Sequence, residues 1–457
     1  MDTRLAPAGC CTHSLGAFLS PREFQMKRRH FVATSAGALG ALAIGCKPSA
    51  GAAVAAAGSG EASDMPRVPA SIQALQPLTP APVPIANEER EARIEKARQL
   101  MADNHLDAIF MEGGTSLFYY TGVQWGLSER TFGIVIPREG EIAWVTPGFE
   151  EARARELIKF GTDIRIWQED ESPFRVVANI LRDRGVGTGR IGMEERVRFF
   201  IADGVHLEAP HLEITSATPV TAGCRVIKSS AETALMQRAN DITIAAYKAA
   251  WETLREGMSQ GELARNITTA YRNLGADGGV SVQFGQYTAY PHGSATPQHL
   301  REGDVVMIDD GVKVEEYTAD ITRTGVFGTP TQRQRDVWDL ERRAQGAAFK
   351  AAQIGVPCED VDAAARKVIT NAGFGPGYKV PGLPHRTGHG IGLDGHEWTY
   401  FVKGNKTPIA PGMCFSDEPT IAIYGEFGIR LEDCLHITDR GPEFFTAQAP
   451  SIDQLFV

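Results

Sequence analysis

From Asn87 onward the apolar residues Ile94, Ala97, Leu100 and Met101 recur three and four positions apart, which places them on one face of a helix with Asn87 as its cap. A short apolar strand over Ala108–Met111 follows. The apolar runs Phe132–Pro137 and Ile142–Pro147 flank the polar stretch Arg138-Glu139-Gly140-Glu141, which predicts a hairpin, and strand–helix alternation continues to about Cys224. Two capping boxes come next, Ser229 with Glu232 and Ser259 with Glu262, each ahead of an amphipathic run. Leu235, Ala239, Ile242 and Ala246 keep helical spacing in the first run, and the second ends near Gly275. Strand-like segments carrying unusual polar residues fill the remainder. The pattern predicts an α/β domain over 87–225 and a second, mixed α+β domain over 226–457.

Before residue 87 neither periodicity holds. Lys27, Arg28 and Arg29 precede His30, Phe31 and a small, apolar run to Gly45, the layout of a basic n-region and a short h-region. Residues 1–46 therefore read as an export signal, with Met26 as a second candidate start. Arg28-Arg29-His30-Phe31 resembles the twin-arginine class of signal, which carries folded proteins and implies a periplasmic or otherwise exported destination. Ala43-Ile44-Gly45-Cys46 resembles a lipoprotein cleavage box, which makes Cys46 a candidate lipid anchor, while Ala55, Ala56 and Ala57 offer an ordinary cleavage site instead. Residues 47–86, rich in Ala, Gly, Ser and Pro, read as a flexible linker.

Composition narrows the function classes. The 457 residues are 43% hydrophobic and 22% charged, an ordinary globular balance. A formal net charge of -10 argues against a nucleic-acid partner, because such binding rests on Lys and Arg neutralising phosphates. Seven cysteines are too few for a disulfide scaffold, and Cys224, Cys358, Cys414 and Cys434 are expected as core thiols. No stretch reaches the ~18 uncharged apolar residues of a spanning helix, so no transmembrane segment and a soluble mature chain are expected.

The candidate chemistry lies in three segments. Val305–Asp309 and Ala319–Thr324 read as paired strands around a turn centred between Val314 and Glu315, which sets Asp309 opposite Asp320. Phe415–Tyr424 and Gly428–Ile437 flank Gly425, and a centre there pairs Glu418 with Glu432. Like charges directly opposite destabilise a sheet, so four carboxylates so arranged call for cations between them. Asp310, next along its strand, is expected to point to the other face. Between the hairpins, His385 and His389 sit four apart, but Gly388, Gly390, Gly392 and Gly395 argue for a strand or loop instead of a helix. One imidazole with several carboxylates suits Mn²⁺, with Zn²⁺ and Co²⁺ as alternatives. A carboxylate-bridged ion pair activates water and polarises a carbonyl, the chemistry of amide hydrolysis.

The order Asp309, Asp320, His389, Glu418, Glu432, within Ile308-Asp309-Asp310-Gly311, Asp320-Ile321-Thr322-Arg323-Thr324, Gly388-His389-Gly390 and Gly428-Ile429-Arg430-Leu431-Glu432-Asp433, resembles the M24 metallopeptidases. The resemblance covers about residues 87–457 and is nearest to the Xaa-Pro dipeptidases (prolidases) and Xaa-Pro aminopeptidases. It implies a creatinase-like N-terminal domain, a pita-bread catalytic domain, two divalent metal ions, a homodimer, and a proline-containing di- or oligopeptide as substrate. It further implies that Asp309 and Asp320 hold one ion, that Asp320, His389 and Glu418 hold the other, and that Glu432 bridges them. Glu418 would be the general base, His292, His385 and His396 would contact substrate, and Arg430 would orient the region around Glu432.

The chain also departs from that family. Glu418-Pro419-Thr420-Ile421-Ala422 stands where the family commonly has Glu-Pro-Gly-x-Tyr, so its tyrosine is missing at Ala422, with Tyr424 as a candidate substitute. Residues 398–410 lack the arginine with which prolidases hold a free carboxylate, offering Lys403 and Lys406 instead. The expectation is an Xaa-Pro dipeptidase, with an Xaa-Pro aminopeptidase as the alternative. A metal-dependent lyase on the same fold and a non-catalytic peptide-binding protein are the alternatives of other classes.

Overall fold

The computed structural model describes residues 68–457. The export signal read over 1–46, Cys46, and the linker as far as residue 67 lie outside the described residues. From Val68 the expected tether is not one: Ile72 is fully buried, Ser71 Oγ donates to the Ala249 carbonyl at 2.8 Å, and Asn273 Nδ2 donates to the Ile72 carbonyl at 2.9 Å. The segment opens with a short helix, Ala70–Gln73, and two isoleucines, Ile72 and Ile85, anchor it in the main core.

The N-terminal domain is a six-stranded sheet in the order 163–167, 143–147, 133–137, 108–112, 189–193, 212–216. Its centre is antiparallel and its outer pairs are parallel. Both faces are covered, which is why Ala108–Met111 reads as an unbroken apolar run. Ile109 and Met111 join one core with Ile94, Ala97 and Met101 of the helix Asn87–Asp103, while Ala108 and Phe110 join another with Val177 and Ile180 of the helix Pro173–Asp183. The hairpin forms with Ile134 opposite Trp144. Asn87 is the first helical residue instead of the cap; Ala86 holds the cap position and makes no side-chain bond there.

The second domain sets two helix pairs around small antiparallel sheets. The helix Ser230–Trp251 opens with a complete capping box, Ser229 and Glu232 bonding each other's backbone N–H. Ser259 caps the helix Gln260–Asn273 through the Glu262 N–H. These two pack with Ile308, Val312 and Ile321, and so support the first hairpin. The helices Gln332–Ala351 and Cys358–Asn371 pack with Phe401, Phe415 and Ile429, behind the second. The four expected core thiols are buried and unpaired. No described helix is long and apolar enough to cross a membrane.

Candidate metal centre

The first hairpin is shifted from its expected register. Its two-residue loop is Glu315-Glu316, with Val314 opposite Tyr317, and the ladder pairs Ile308 with Arg323. That carries Thr322, not Asp320, opposite Asp309. Both loop residues adopt positive φ, +49° and +67°, the backbone of a type I′ turn built without glycine, so the usual Asn-Gly signal is absent. Asp310 also takes a left-handed φ of +87°, which breaks the strand's alternation. As a result Asp310 lines the same cavity as Asp309 instead of facing away, though it joins no ligand group. Burial and the adjacent Asp309 charge push its carboxyl up to about 6.

The second hairpin follows the expected centre. Asp417 pairs with Asp433 and Thr420 with Arg430, which brings Glu418 and Glu432 into step between those pairs. His389 lies in the strand Gly388–Gly390, between Glu397–Phe401 and Cys414–Asp417. A Cβ on Gly388 would lie 2.1 Å from the Ser416 carbonyl oxygen, so the glycine permits the close approach that delivers His389 to the site.

Three groups of potential ligand atoms fall within 4.8 Å: Asp309, Asp320 and Glu432; His389, Glu418 and Glu432; and Asp320, His389 and His396. Glu432 belongs to two of them, which suits a bridging position. His389 Nδ1 donates to the Gly390 carbonyl at 3.1 Å, turning Nε2 toward Glu418 at 3.0 Å and Asp320 at 3.7 Å. That backbone bond fixes the tautomer a metal ligand requires. The Thr322 hydroxyl lies 2.5 Å from Asp309 Oδ1 and 2.7 Å from Glu432 Oε2, and its single proton can serve only one of them. Burial, and then the surrounding carboxylates, raise the Asp320 and Glu432 carboxyls well above their usual range. The donor set fits hard or borderline divalent cations, which would neutralise this surplus of buried negative charge.

Arg430 answers part of that charge. Its guanidinium pairs with Asp309 Oδ2, donates through Nε to Thr322 Oγ1 at 2.9 Å and through Nη1 to the Pro291 carbonyl at 3.1 Å. Burial would raise the Glu418 carboxyl too, yet the His389 imidazole holds it well below the usual range, so Glu418 stays ionised. Cys434 went unread as a site residue: its thiol donates to the Asp320 carbonyl at 3.1 Å and fixes that backbone.

The three other histidines differ in use. His292, His385 and His396 all line the metal cavity of about 200 Å³. His396 stacks on His389 with ring centroids 3.8 Å apart, and burial, followed by the neighbouring His389 imidazole, lowers its own imidazole to about 4. His385 is already spent: Nδ1 bonds the Arg386 carbonyl at 2.7 Å and Nε2 meets Thr420 Oγ1 at 2.9 Å. With Nδ1 as donor, Nε2 accepts from the threonine, so His385 positions its neighbours instead of donating to substrate as expected. Tyr424 is exposed at the hairpin tip, stacked on Tyr290 at 5.3 Å, and does not line the cavity. Neither do Lys403 and Lys406; Lys406 pairs with Glu359 at the surface.

The loop carrying His396 is clamped to the N-terminal domain. Asp394 accepts from Thr115 Oγ1 at 2.8 Å, Arg196 Nη1 at 2.9 Å and Arg225 Nη2 at 2.6 Å. Glu397, one residue past His396, is buried between Arg225 and Lys228. These residues gave no motif to read; only the fold joins them.

The fold thus gathers carboxylates and imidazoles into one cavity, a set able to hold divalent metal ions. The family described as Creatinase/Prolidase N-terminal domain matches residues 93–227, and metallopeptidase family M24 matches residues 234–439. An uncharacterized peptidase of Schizosaccharomyces pombe is 35% identical to the chain, covering 80% of it and 83% of itself. An Xaa-Pro dipeptidase of Lactobacillus helveticus is 30% identical, covering 77% of this chain and 96% of its own. The crystal structure of dipeptidase PepE from Mycobacterium ulcerans superposes with a TM-score of 0.74 at 28% identity, over 82% of this chain and 99% of that one. The chain belongs to metallopeptidase family M24.

Proposed function

We propose that the protein is a metal-dependent Xaa-Pro dipeptidase, a prolidase, using two divalent ions. The observation that carries the reading is the pair of ligand groups sharing Glu432 in one cavity with His292 and His396. The relatives named Xaa-Pro dipeptidase and dipeptidase support the substrate class. Asp309, Asp320, His389, Glu418 and Glu432 would hold the ions, which when bound supply Lewis acidity to the scissile carbonyl and acidify water. Four carboxylates and one imidazole, with no thiolate, favour Mn²⁺.

The residues' own work follows from their geometry. Glu418, kept ionised, accepts the proton of the attacking water as its oxygen bonds the carbonyl carbon. The same proton passes to the proline nitrogen as the C–N bond breaks, because a tertiary amide leaves without an N–H of its own. His396, neutral and facing the cavity, donates to the carbonyl oxygen as negative charge develops there.

The test is release of free proline from a panel of Xaa-Pro dipeptides, with Xaa-Gly dipeptides as controls, in the presence of Mn²⁺, Co²⁺ or Zn²⁺. Hydrolysis of Xaa-Pro above Xaa-Gly supports the reading, with Mn²⁺ expected to serve best. Cleavage of Xaa-Pro-Xaa tripeptides alone would make it an aminopeptidase. We further propose export through the Arg28-Arg29 signal. Arg28→Lys with Arg29→Lys should retain folded, active enzyme in the cytoplasm, and unaltered export would refute the twin-arginine route.

A further inference from the structure

A dipeptidase has to recognise the carboxylate immediately after proline, so the cavity needs a cation whose charge is not already spent. Two arginines line it, Arg386 and Arg430. Arg430 is buried and committed to Asp309, Thr322 and Pro291. The two lysines expected from the sequence lie outside the cavity. That leaves Arg386.

We propose that Arg386, stacked on Tyr400, holds the free carboxylate of the substrate's C-terminal proline. This rests on the Xaa-Pro dipeptidase reading and deepens it. Among the described residues, the Arg386 guanidinium meets the Tyr400 ring face at 4.1 Å from its centroid and pairs with no carboxylate. Its backbone is fixed as well, the carbonyl accepting from His385 Nδ1 at 2.7 Å. An aromatic face holds a guanidinium in place while leaving its in-plane N–H donors free, and those donors match the two oxygens of a carboxylate. Arg386 is three residues before His389, on the same stretch of chain as the metal ligand, so anchor and reacting centre are set by one backbone segment. His385 thus acquires a use: with Thr420 on its other nitrogen, it ties the Arg386 backbone to the strand that follows Glu418. A lysine would supply only a point charge.

The experiment uses the full chain loaded with Mn²⁺ and two probes that differ only in terminal charge, Ala-Pro and Ala-Pro-amide. Wild type should favour Ala-Pro. Arg386→Ala should lower kcat/KM for Ala-Pro by about 10- to 100-fold, mainly through KM, and leave Ala-Pro-amide within about two-fold. Arg386→Lys should recover part of the loss. Tyr400→Leu keeps the guanidinium and removes its support, so it should cost Ala-Pro about 3- to 10-fold and spare the amide. An equal loss on both probes in Arg386→Ala and in the near-isosteric Arg386→Gln, or no loss on either, overturns the assignment alone. A wild-type enzyme that cleaves neither probe overturns the dipeptidase reading, and this assignment with it.

Discussion

The two hairpins that build the metal centre do the same work in different ways. In the second, the ladder runs in step from Cys414–His436 to Ile423–Phe427, and Glu418 and Glu432 meet because of it. In the first, the ladder sets Thr322 opposite Asp309, and Asp320 reaches its partners from between two strands after the left-handed kink at Asp310. One pair of ligands is placed by regular geometry and the other by an irregularity held in place. The irregular side depends on small polar ties: the Thr322 hydroxyl, the Arg430 guanidinium and the Cys434 thiol. Regular pairing tolerates change, whereas a position held by single bonds does not.

The largest effect should come from removing a shared ligand on either hairpin. Asp320→Ala and Glu432→Ala should each cut kcat/KM by more than about 10³-fold, measured with metal in excess, because each residue belongs to two ligand groups. Equal severity would show that the two construction modes converge on one centre. A mild Asp320→Ala phenotype would confine the centre to the second hairpin.

The ties of the irregular side come next. Thr322→Val keeps the shape and deletes the hydroxyl between Asp309 and Glu432, and should weaken metal binding or activity by about 10- to 100-fold. Ser416 offers the regular hairpin's counterpart, its hydroxyl donating to Glu418 Oε1 at 3.2 Å. Ser416→Ala should cost less than Thr322→Val, and the reverse order would invert the comparison.

A smaller effect, on stability, lies behind the regular hairpin. Glu341 is fully buried with neither carboxyl oxygen hydrogen-bonded, and burial with the Asp417 charge raises its pKa well above the ordinary 4.5. Its proton is retained in the folded state and released on unfolding once pH exceeds the ordinary value. Stability therefore falls as pH rises from about 4.5 toward the raised folded value. Glu341→Gln should add about 1–2 kcal/mol at neutral pH and flatten that slope in denaturant titrations. The smallest change is at the turn of the first hairpin: Glu315→Asn with Glu316→Gly suits two positive-φ positions and should add about 0.5–1 kcal/mol without altering activity.

What the sequence made legible follows the same division. Gly425, at φ +86°, marks the second turn, and pairing counted outward from it places Glu418 and Glu432 together. The first turn has no glycine, so a count centred one residue early sent Asp309 to the wrong partner, although both aspartates reach the site. Glycines at 388 and 390 gave the His389 strand, because a helix there would carry their conformational cost. Arg386 and Tyr400 carry no spacing signal; they meet only when the strands Gly388–Gly390 and Glu397–Phe401 pair. The clamp on Asp394 joins residues up to 279 positions apart, beyond any local pattern. The anchoring of 68–86 was hidden by its prolines, which limit regular structure there to the single helical turn Ala70–Gln73 but do not prevent the burial of Ile72 and Ile85.

The central claim is that both hairpins together hold two ions across Glu432. Metal content of the purified, reloaded chain, measured per protein in wild type and in Glu432→Ala, addresses it most directly. The account predicts close to two divalent ions per wild-type chain and loss of tight binding of both in Glu432→Ala. One ion in wild type, or two still held without Glu432, would contradict it.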